Sequence, residues 1–313
     1  MKIHQFRIPS QFPAGMVNVY LISDPLTLID TGPKSQDARN VLEGSLHSVG
    51  YDFGDIQRVV ITHSHVDHFG LASEIRAESS TDIYAPKLDK PSIEQFRELM
   101  EKSETSMTKR VQRFGFPEKI AKKIAQYHKI IMSSGEEVDV DFDLDEGSAL
   151  RFNDGTLKVI STPSHTNGSI SLYDEGNRLF VGDSVLEDYS GEGVFSLTEP
   201  TPGTASQLEG LKKLSKLKSH VIYPGHGEPM TKESKRIINN RIEAIERMLT
   251  DIPDMLGNWT SPTELSMQIF GDLKLMFVPY AINEVMTTCS HLLARGQIMM
   301  KEEKSLLFRA VGR

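Results

Sequence analysis

Three imidazoles and a carboxylate fall within the run Ile61-Thr62-His63-Ser64-His65-Val66-Asp67-His68-Phe69-Gly70. Imidazole and carboxylate together suit borderline divalent metals such as Zn²⁺, whereas sites for hard cations use oxygen almost alone. The run follows an apolar, strand-like stretch at 58–61 and precedes residues 69–75, which read as the start of a helix. The cluster therefore belongs to a strand-to-helix turn, where neighbouring side chains can converge. Continued as a regular strand, it would put His63, His65 and Asp67 on one face and His68 on the other, so that two subsets of ligands could face two metals.

Three more candidate ligands each stand where an apolar run ends beside a turn-former: His165 in Thr162-Pro163-Ser164-His165-Thr166, Asp183 in Val181-Gly182-Asp183-Ser184, and His226 in Pro224-Gly225-His226-Gly227. Five of the ten histidines occupy these special positions. The other five, His4, His47, His128, His220 and His291, lack a comparable setting and read as surface or hydrogen-bonded core residues.

The elements that must position these groups are legible around them. Residues 17–22 and 26–30 read as strands joined at Asp24-Pro25, and Asp30-Thr31-Gly32-Pro33 as a turn that opens a helix near 37–49. A strand at 82–85 follows the metal-type cluster. Residues 86–134 change character: 94–100 and 120–125 read as charged amphipathic helices, forming a helical insertion between two sheet-forming halves. The acidic run 136–146 alternates with Val138, Val140, Phe142 and Leu144 and reads as strand and turn, and it lacks the full pattern of a calcium loop. Strands are expected at 149–152, 157–162, 169–173, 178–183 and 221–223, and helices at 205–217 and 232–249. Beyond Pro253 the order is helix (262–270), helix (281–294) and a short hairpin (296–309), which is winged-helix-like. The expected organisation is a mixed α/β (α+β) main domain at 1–252, its sheets stacked with helices outside, and a small C-terminal domain at 253–313.

Composition bounds the reading. The 313 residues are 38% hydrophobic, enough for a packed core, and carry 35 basic against 43 acidic side chains, a formal net charge of −8. No overall positive field draws in nucleic acid or an anionic membrane. The one cysteine, Cys289, excludes an internal disulfide and thiolate-rich metal sites and reads as a small buried apolar filler. The first nine residues lack the apolar core of a secretory signal and no apolar run reaches transmembrane length, so a soluble, cytoplasmic protein is expected.

The pattern His63-x-His65-x-Asp67-His68, followed in order by His165, Asp183 and His226, resembles the metallo-β-lactamase superfamily, whose sheets pack as an αββα sandwich, over roughly residues 1–250. Asp30-Thr31-Gly32 is similar to the family's early motif, in which the aspartate steadies a ligand from behind. The loop Ser164-His165-Thr166-Asn167-Gly168 departs from the more usual Gly-His-Thr-Pro-Gly, which keeps the ligand but puts the loop shape in question. The resemblance implies that His63, His65 and His165 hold one metal, that Asp67, His68 and His226 hold a second, and that Asp183 bridges both. It implies a water between the two metals, ionised to the attacking hydroxide. Asp67 would orient that nucleophile or pass on its proton. Two divalent ions are implied, zinc first, with iron or manganese suited to the same ligands.

This fold serves hydrolases of thioesters, lactones, β-lactams and phosphodiesters, so fold does not choose the substrate. The ligand pattern resembles the glyoxalase II, lactonase and nuclease branches more than the antibiotic-hydrolysing one. From about residue 254 the chain is similar to the winged-helix appendage of the β-lactamase-like-protein-2 group, some members of which act as endoribonucleases. Helix 281–294, however, carries no lysine or arginine, a poor phosphate-binding face. The appendage reads mainly as packing, a contact in a homodimer or a pocket wall. No basic C-terminal cluster is placed to grip glutathione, and no long extra domain separates Asp183 from His226.

The leading expectation is a binuclear hydrolase of a small-molecule thioester or lactone. Its insertion would form a lid whose Phe96, Met100, Met107, Phe114 and Phe116 give an adaptable apolar wall, and Tyr189 in the loop 186–195 would donate to a carbonyl oxygen. The alternative is an endoribonuclease or phosphodiesterase whose C-terminal region holds single-stranded RNA. A third reading is a non-catalytic metal-binding scaffold.

Overall fold

A computed structural model describes residues 2–186, 203–231, 233–272, 274 and 277–312, without the side chains of 102–106. Strand β1 (Ile3–Ile8), which the sequence reading did not single out, pairs antiparallel with β2 (Val17–Ile22), and β2 with β3 (Thr27–Ile29). The crossover helix α1 (Gln36–Ser48), capped by the Ser35 side chain on Ala38 N, returns the chain to β4 (Arg58–Val60), parallel to β3. Short helices α2 (Val66–Phe69) and α3 (Ala72–Glu78) lead to β5 (Asp82–Pro86), parallel to β4. The insertion then supplies α4 (Lys90–Glu94), α5 (Phe96–Arg113) and α6 (Glu118–Met132) before β6 (Phe142–Leu144) closes a six-stranded sheet in the order β1-β2-β3-β4-β5-β6.

The second sheet has five strands. Its antiparallel run is β7 (Ala149–Phe152), β8 (Gly155–Ser161), β9 (Ile170–Asp174) and β10 (Arg178–Gly182). Helix α7 (Thr204–Ser215) carries the chain to β11 (Val221–Pro224), parallel to β10. Helix α8 (Ser234–Met255) runs on through Pro253, followed by α9 (Pro262–Phe270), α10 (Val278–Ala294) and the hairpin β12 (Ile298–Glu302)–β13 (Leu306–Ala310).

Alternation along the strands explains the layering. In β2, Val17, Val19 and Leu21 join the cluster beneath α1 and α3, whereas Tyr20 and Ile22 face the cluster between the sheets. In β10, Phe180 points into that inter-sheet layer while Leu179 and Val181 pack on Leu211 and Leu214 of α7 and Ile238 and Ile242 of α8. Strands buried on both faces read as unbroken apolar runs, because side chains point alternately to each side. The result is four layers, helices–sheet–sheet–helices. Each fully buried aliphatic side chain in them contributes about 1.5–3 kcal/mol.

A separate cluster holds the C-terminal elements: Ile252 and Leu256 at the end of α8 with Leu265, Val285, Cys289 and Phe308. Cys289 is buried there as an apolar filler, and burial pushes its thiol up to about 12. The α8 helix thus spans both cores. The insertion is tied to the C-terminal elements as well, since Arg113 makes a two-point ion pair with Glu302 and Thr263 bonds Phe114 O through its N–H and its hydroxyl. Among the described residues no helix is long and apolar enough to cross a membrane.

Two expectations need correction. Residues 66–69 form α2 rather than a strand or turn, so Asp67 and His68 are set apart by helical rotation and not by strand alternation. The proposed wall of Phe96, Met100, Met107, Phe114 and Phe116 is dispersed: Phe96 and Met100 pack in the main core, Met107 and Phe116 hold α5 on α6, and Phe114 caps α5. Amphipathic periodicity identified these helices but could not say which neighbour each apolar face would meet.

Gly70 marks a junction at the end of α2. A Cβ there would stand 2.5 Å from Lys34 N, Ser134 O and Val66 O, where the Lys34 N–H also donates to Ser134 O at 2.6 Å. Backbone cannot yield as a side-chain tip can, so Gly70→Ala should lower stability by about 2–3 kcal/mol in urea unfolding, with the site-bearing turn disturbed first.

Candidate metal centre

All the candidate ligands sit at carboxyl ends of strands or just beyond. Asp30 follows β3, His63 and His65 follow β4 with Asp67 and His68 on α2, His165 follows β8, Asp183 follows β10 and His226 follows β11. Both sheets therefore deliver ligands to one place. His63, Asp67, His68, His165, Asp183 and His226 are buried and His65 is partly exposed.

Asp30 organises the first half. Its backbone is left-handed (φ 60°), and its carboxylate accepts from Thr62 N at 2.8 Å, Thr62 Oγ1 at 2.9 Å and His68 Nδ1 at 2.8 Å. The Thr62 hydroxyl has one proton, and the carboxylate takes it. His63 Nδ1, 3.0 Å from Thr62 Oγ1, must then be the donor in that contact. One carboxylate thereby sets two tautomers, leaving the Nε2 lone pairs of His63 and His68 for the centre. Gly182, at φ +49°, lets the second sheet approach, since a Cβ there would lie 2.8 Å from Thr62 Oγ1.

The second half is held by β2. Asn18 N donates to Gly225 O, Asn18 Nδ2 to Pro224 O and Gly227 O, and the Tyr20 hydroxyl to Pro224 O, while His226 Nδ1 donates to Met16 O at 3.0 Å. His226 Nε2 is thus directed at Asp67 Oδ2 (3.3 Å) and Asp183 Oδ2 (3.4 Å). The same Asp183 oxygen lies 3.5 Å from His68 Nε2 and from His165 Nε2, and 4.0 Å from His63 Nε2. It is the geometric centre of the cluster.

Electrostatics divides the imidazoles. Burial holds His63 well below the usual imidazole range and His165 at about 3. Burial opposes charge at His226 too, but the carboxylates of Asp183 and Asp67 outweigh it and lift that group to about 10; Asp183, Asp30 and Asp67 likewise raise His68 well above its ordinary value. Without a cation, two imidazolium groups balance the carboxylates. A divalent ion can replace those protons.

The donor set fits such ions. His63 Nε2, His65 Nε2, His68 Nε2, His165 Nδ1 and Asp183 Oδ1 are buried with no hydrogen-bond partner among the described residues, and unpaired buried polar atoms are costly unless a ligand satisfies them. Three groups each bring donor atoms within 4.8 Å of one another: His63, His65 and His165; His63, His68 and Asp183; and Asp67, His68 and His226. His65 Nδ1 and His165 Nε2 lie 2.8 Å apart, so the two rings face each other across the cluster.

Asp89, which the sequence reading passed over, ties the two ligand loops together. This buried carboxylate accepts from Ser64 N (2.8 Å), Thr166 Oγ1 (2.6 Å) and Gly168 N (2.8 Å). A Cβ at Gly168 would collide with it at 2.5 Å, so the altered loop after His165 keeps the glycine it needs. Sequence alone offers no sign of this role, because Asp89 looks like any surface acid opening a helix.

A cleft of about 730 Å³ opens over the cluster. Its floor is ligand side chains; its walls are Phe12 from the β1–β2 connection, Ile124, Tyr127 and Ile131 of α6, and Pro279 and Tyr280 of α10. His128, read from sequence as a surface or hydrogen-bonded core residue, is buried on the same α6 face and borders the cleft; its helical spacing to Ile124 and Ile131 was the available signal. Tyr189 lies outside the described residues.

Comparison with known proteins follows this geometry. Residues 12–226 match the family model described as metallo-beta-lactamase superfamily. The chain belongs to that superfamily, a class of metal-dependent hydrolases with this layered sandwich. It is 29% identical to the probable metallo-hydrolase YqjP of Bacillus subtilis over 79% of this chain and 80% of that protein, and 28% identical to a beta-lactamase-like protein 2 homolog of Caenorhabditis elegans over 73% of this chain and 62% of that one. A hydroxyacylglutathione hydrolase of Rhodopseudomonas palustris is 25% identical over 66% and 61%. A metallo-beta-lactamase family protein from Thermus thermophilus superimposes with a TM-score of 0.83 at 22% identity, covering 98% of both chains, which establishes a common fold.

Two substitutions test how the centre is held. Asp30→Asn removes the charge that orients His68 and Thr62, and metal affinity in chelator competition should fall about 10–100-fold with the fold retained by circular dichroism. In Gly225→Ala, the new Cβ would overlap Asp183 Oδ1; metal content after dialysis should drop while residues remote from the site keep their hydrogen-exchange protection.

Proposed function

We propose that this protein is a binuclear metal-dependent hydrolase of a small-molecule thioester or lactone. His63, His65 and His165 would hold one divalent ion and Asp67, His68 and His226 the other, with Asp183 between them and zinc the leading metal. Such ions, when bound, lower the pKa of water and polarise a carbonyl oxygen. The chain's own groups supply the rest. Asp67, whose carboxylate lies 3.3 Å from His226 Nε2, would accept a proton from the attacking water and pass it toward the leaving sulfur or oxygen. Asp30 and Asp89 keep the ligand loops in register.

The observation that carries the choice of substrate is the wall chemistry of the cleft. Apart from Asp67 and Asp183, no acidic or basic residue other than histidine lines it among the described residues. Affinity for a phosphodiester chain comes mainly from lysine and arginine, and the described lining of this cleft presents neither. A neutral carbonyl compound fits such surroundings. The relative named hydroxyacylglutathione hydrolase agrees with acyl hydrolysis.

The test is initial-rate hydrolysis by the metal-loaded protein of acyl thioesters, lactones, a phosphodiester and a short RNA. Thioester or lactone turnover should vanish in His165→Ala, and kcat should fall about 10²-fold or more in Asp67→Asn. RNA cleavage alone would establish the nuclease alternative, and tight metal binding without any turnover would establish the scaffold reading.

A further inference from the structure

We infer that the face of α6 bearing Ile124, Tyr127 and Ile131, together with Phe12 and Pro279, is an acyl-recognition wall, and that the substrate is a thioester of an uncharged aliphatic or aromatic acid of medium length. This inference rests on the hydrolase reading above and names which half of the substrate the cleft holds. A scissile carbonyl at the ligand cluster has two arms, the acyl group and the thiol. Biological thiol carriers bear phosphates or carboxylates, and those groups need cations or many donors on burial. The described wall offers hydrocarbon, the rings of Tyr127 and Tyr280, and the buried imidazole of His128, with no lysine or arginine among the described lining residues. The charged thiol arm does not suit that surface, whereas the acyl arm does, and the carrier extends through the open mouth.

The cleft is open to solvent at its mouth, where a carrier can leave it. The wall is also anchored: α6 packs on α5 through Ala121, Ile124 and Ala125 against Met107 and Val111, and α10 is joined to α8 by the Arg241–Glu284 ion pair at 3.0 Å, both side chains largely buried. Ile131 has a different status from its neighbours. It is buried and lines the cleft without belonging to any of the described apolar clusters.

The experiment measures kcat/KM of the metal-loaded full chain on N-acetylcysteamine thioesters from acetyl to decanoyl, with Ile131→Trp and Ile131→Ala. Each added methylene should raise kcat/KM about fourfold until the cleft is full. Ile131→Trp should lower the decanoyl-to-acetyl ratio at least tenfold, and Ile131→Ala should move the optimum to a longer chain. The ratio is internal to each variant, so a general loss of activity does not imitate the effect. In parallel, calorimetry measures binding of 2-butanone and 2-dodecanone, ketones that cannot be hydrolysed. Turnover that is flat from acetyl to decanoyl would overturn the inference while leaving the hydrolase reading intact. Tighter binding of 2-dodecanone that Ile131→Trp abolishes, without turnover of any thioester, would overturn the thioester assignment, and absence of lactone turnover as well would overturn the hydrolase reading.

Discussion

Charge confined to a dry volume is the constraint on which the rest of this structure depends. Asp30, Asp67 and Asp183 are buried beside five imidazoles where the two sheets end. Desolvation makes each carboxylate expensive unless cations or donors surround it. The neighbouring carboxylates raise His68 and His226 against the effect of burial, so the cluster favours positive charge, which a divalent cation can also supply. Every surrounding hydrogen bond then has a purpose. Asp30 orients His68 and, through Thr62, His63; Asp89 holds the loops of Ser64 and Thr166; β2 holds the turn of His226.

Because ligands come from both sheets, the centre is complete only when the two halves have docked across the inter-sheet layer of Tyr20, Ile29, Val60, Leu172 and Phe180. Packing energy that assembles the sandwich therefore also assembles the site. Metal bound to the docked state stabilises it in turn, since a separated half offers an incomplete donor set. Close approach is secured by small residues: Gly182 against Thr62, Gly168 against Asp89 and Gly225 against Asp183. These glycines owe their place to the close approach of a side chain that a Cβ would displace.

Chemistry and recognition are built by different parts of the chain. The sandwich provides the ligand floor, while the insertion and α10 provide the walls. Those two additions also contact each other, through Arg113 and Glu302 and through Phe114 and Thr263. The cleft is thus bounded by a linked pair of segments that can vary in side chain without altering the donor set, a separation in keeping with a fold that serves many substrates.

The ligand set, the strand order around it and the existence of a helical insertion were legible in sequence because each is a local signal: residue types at strand ends, apolar runs for doubly buried strands, and helical periodicity. The seven candidate side chains come together in three overlapping groups, and Asp30 stands behind His68. What tertiary structure decided was adjacency. Asp67 and His68 are set apart by helical rotation rather than by strand alternation, Asp89 reaches two loops distant in sequence, and the cleft wall falls to Ile124, Tyr127, His128 and Ile131 where Phe96 and Met100 had been expected. Periodicity says that a helix has an apolar face; only packing against the rest of the chain determines whether that face fills a core or lines a cavity.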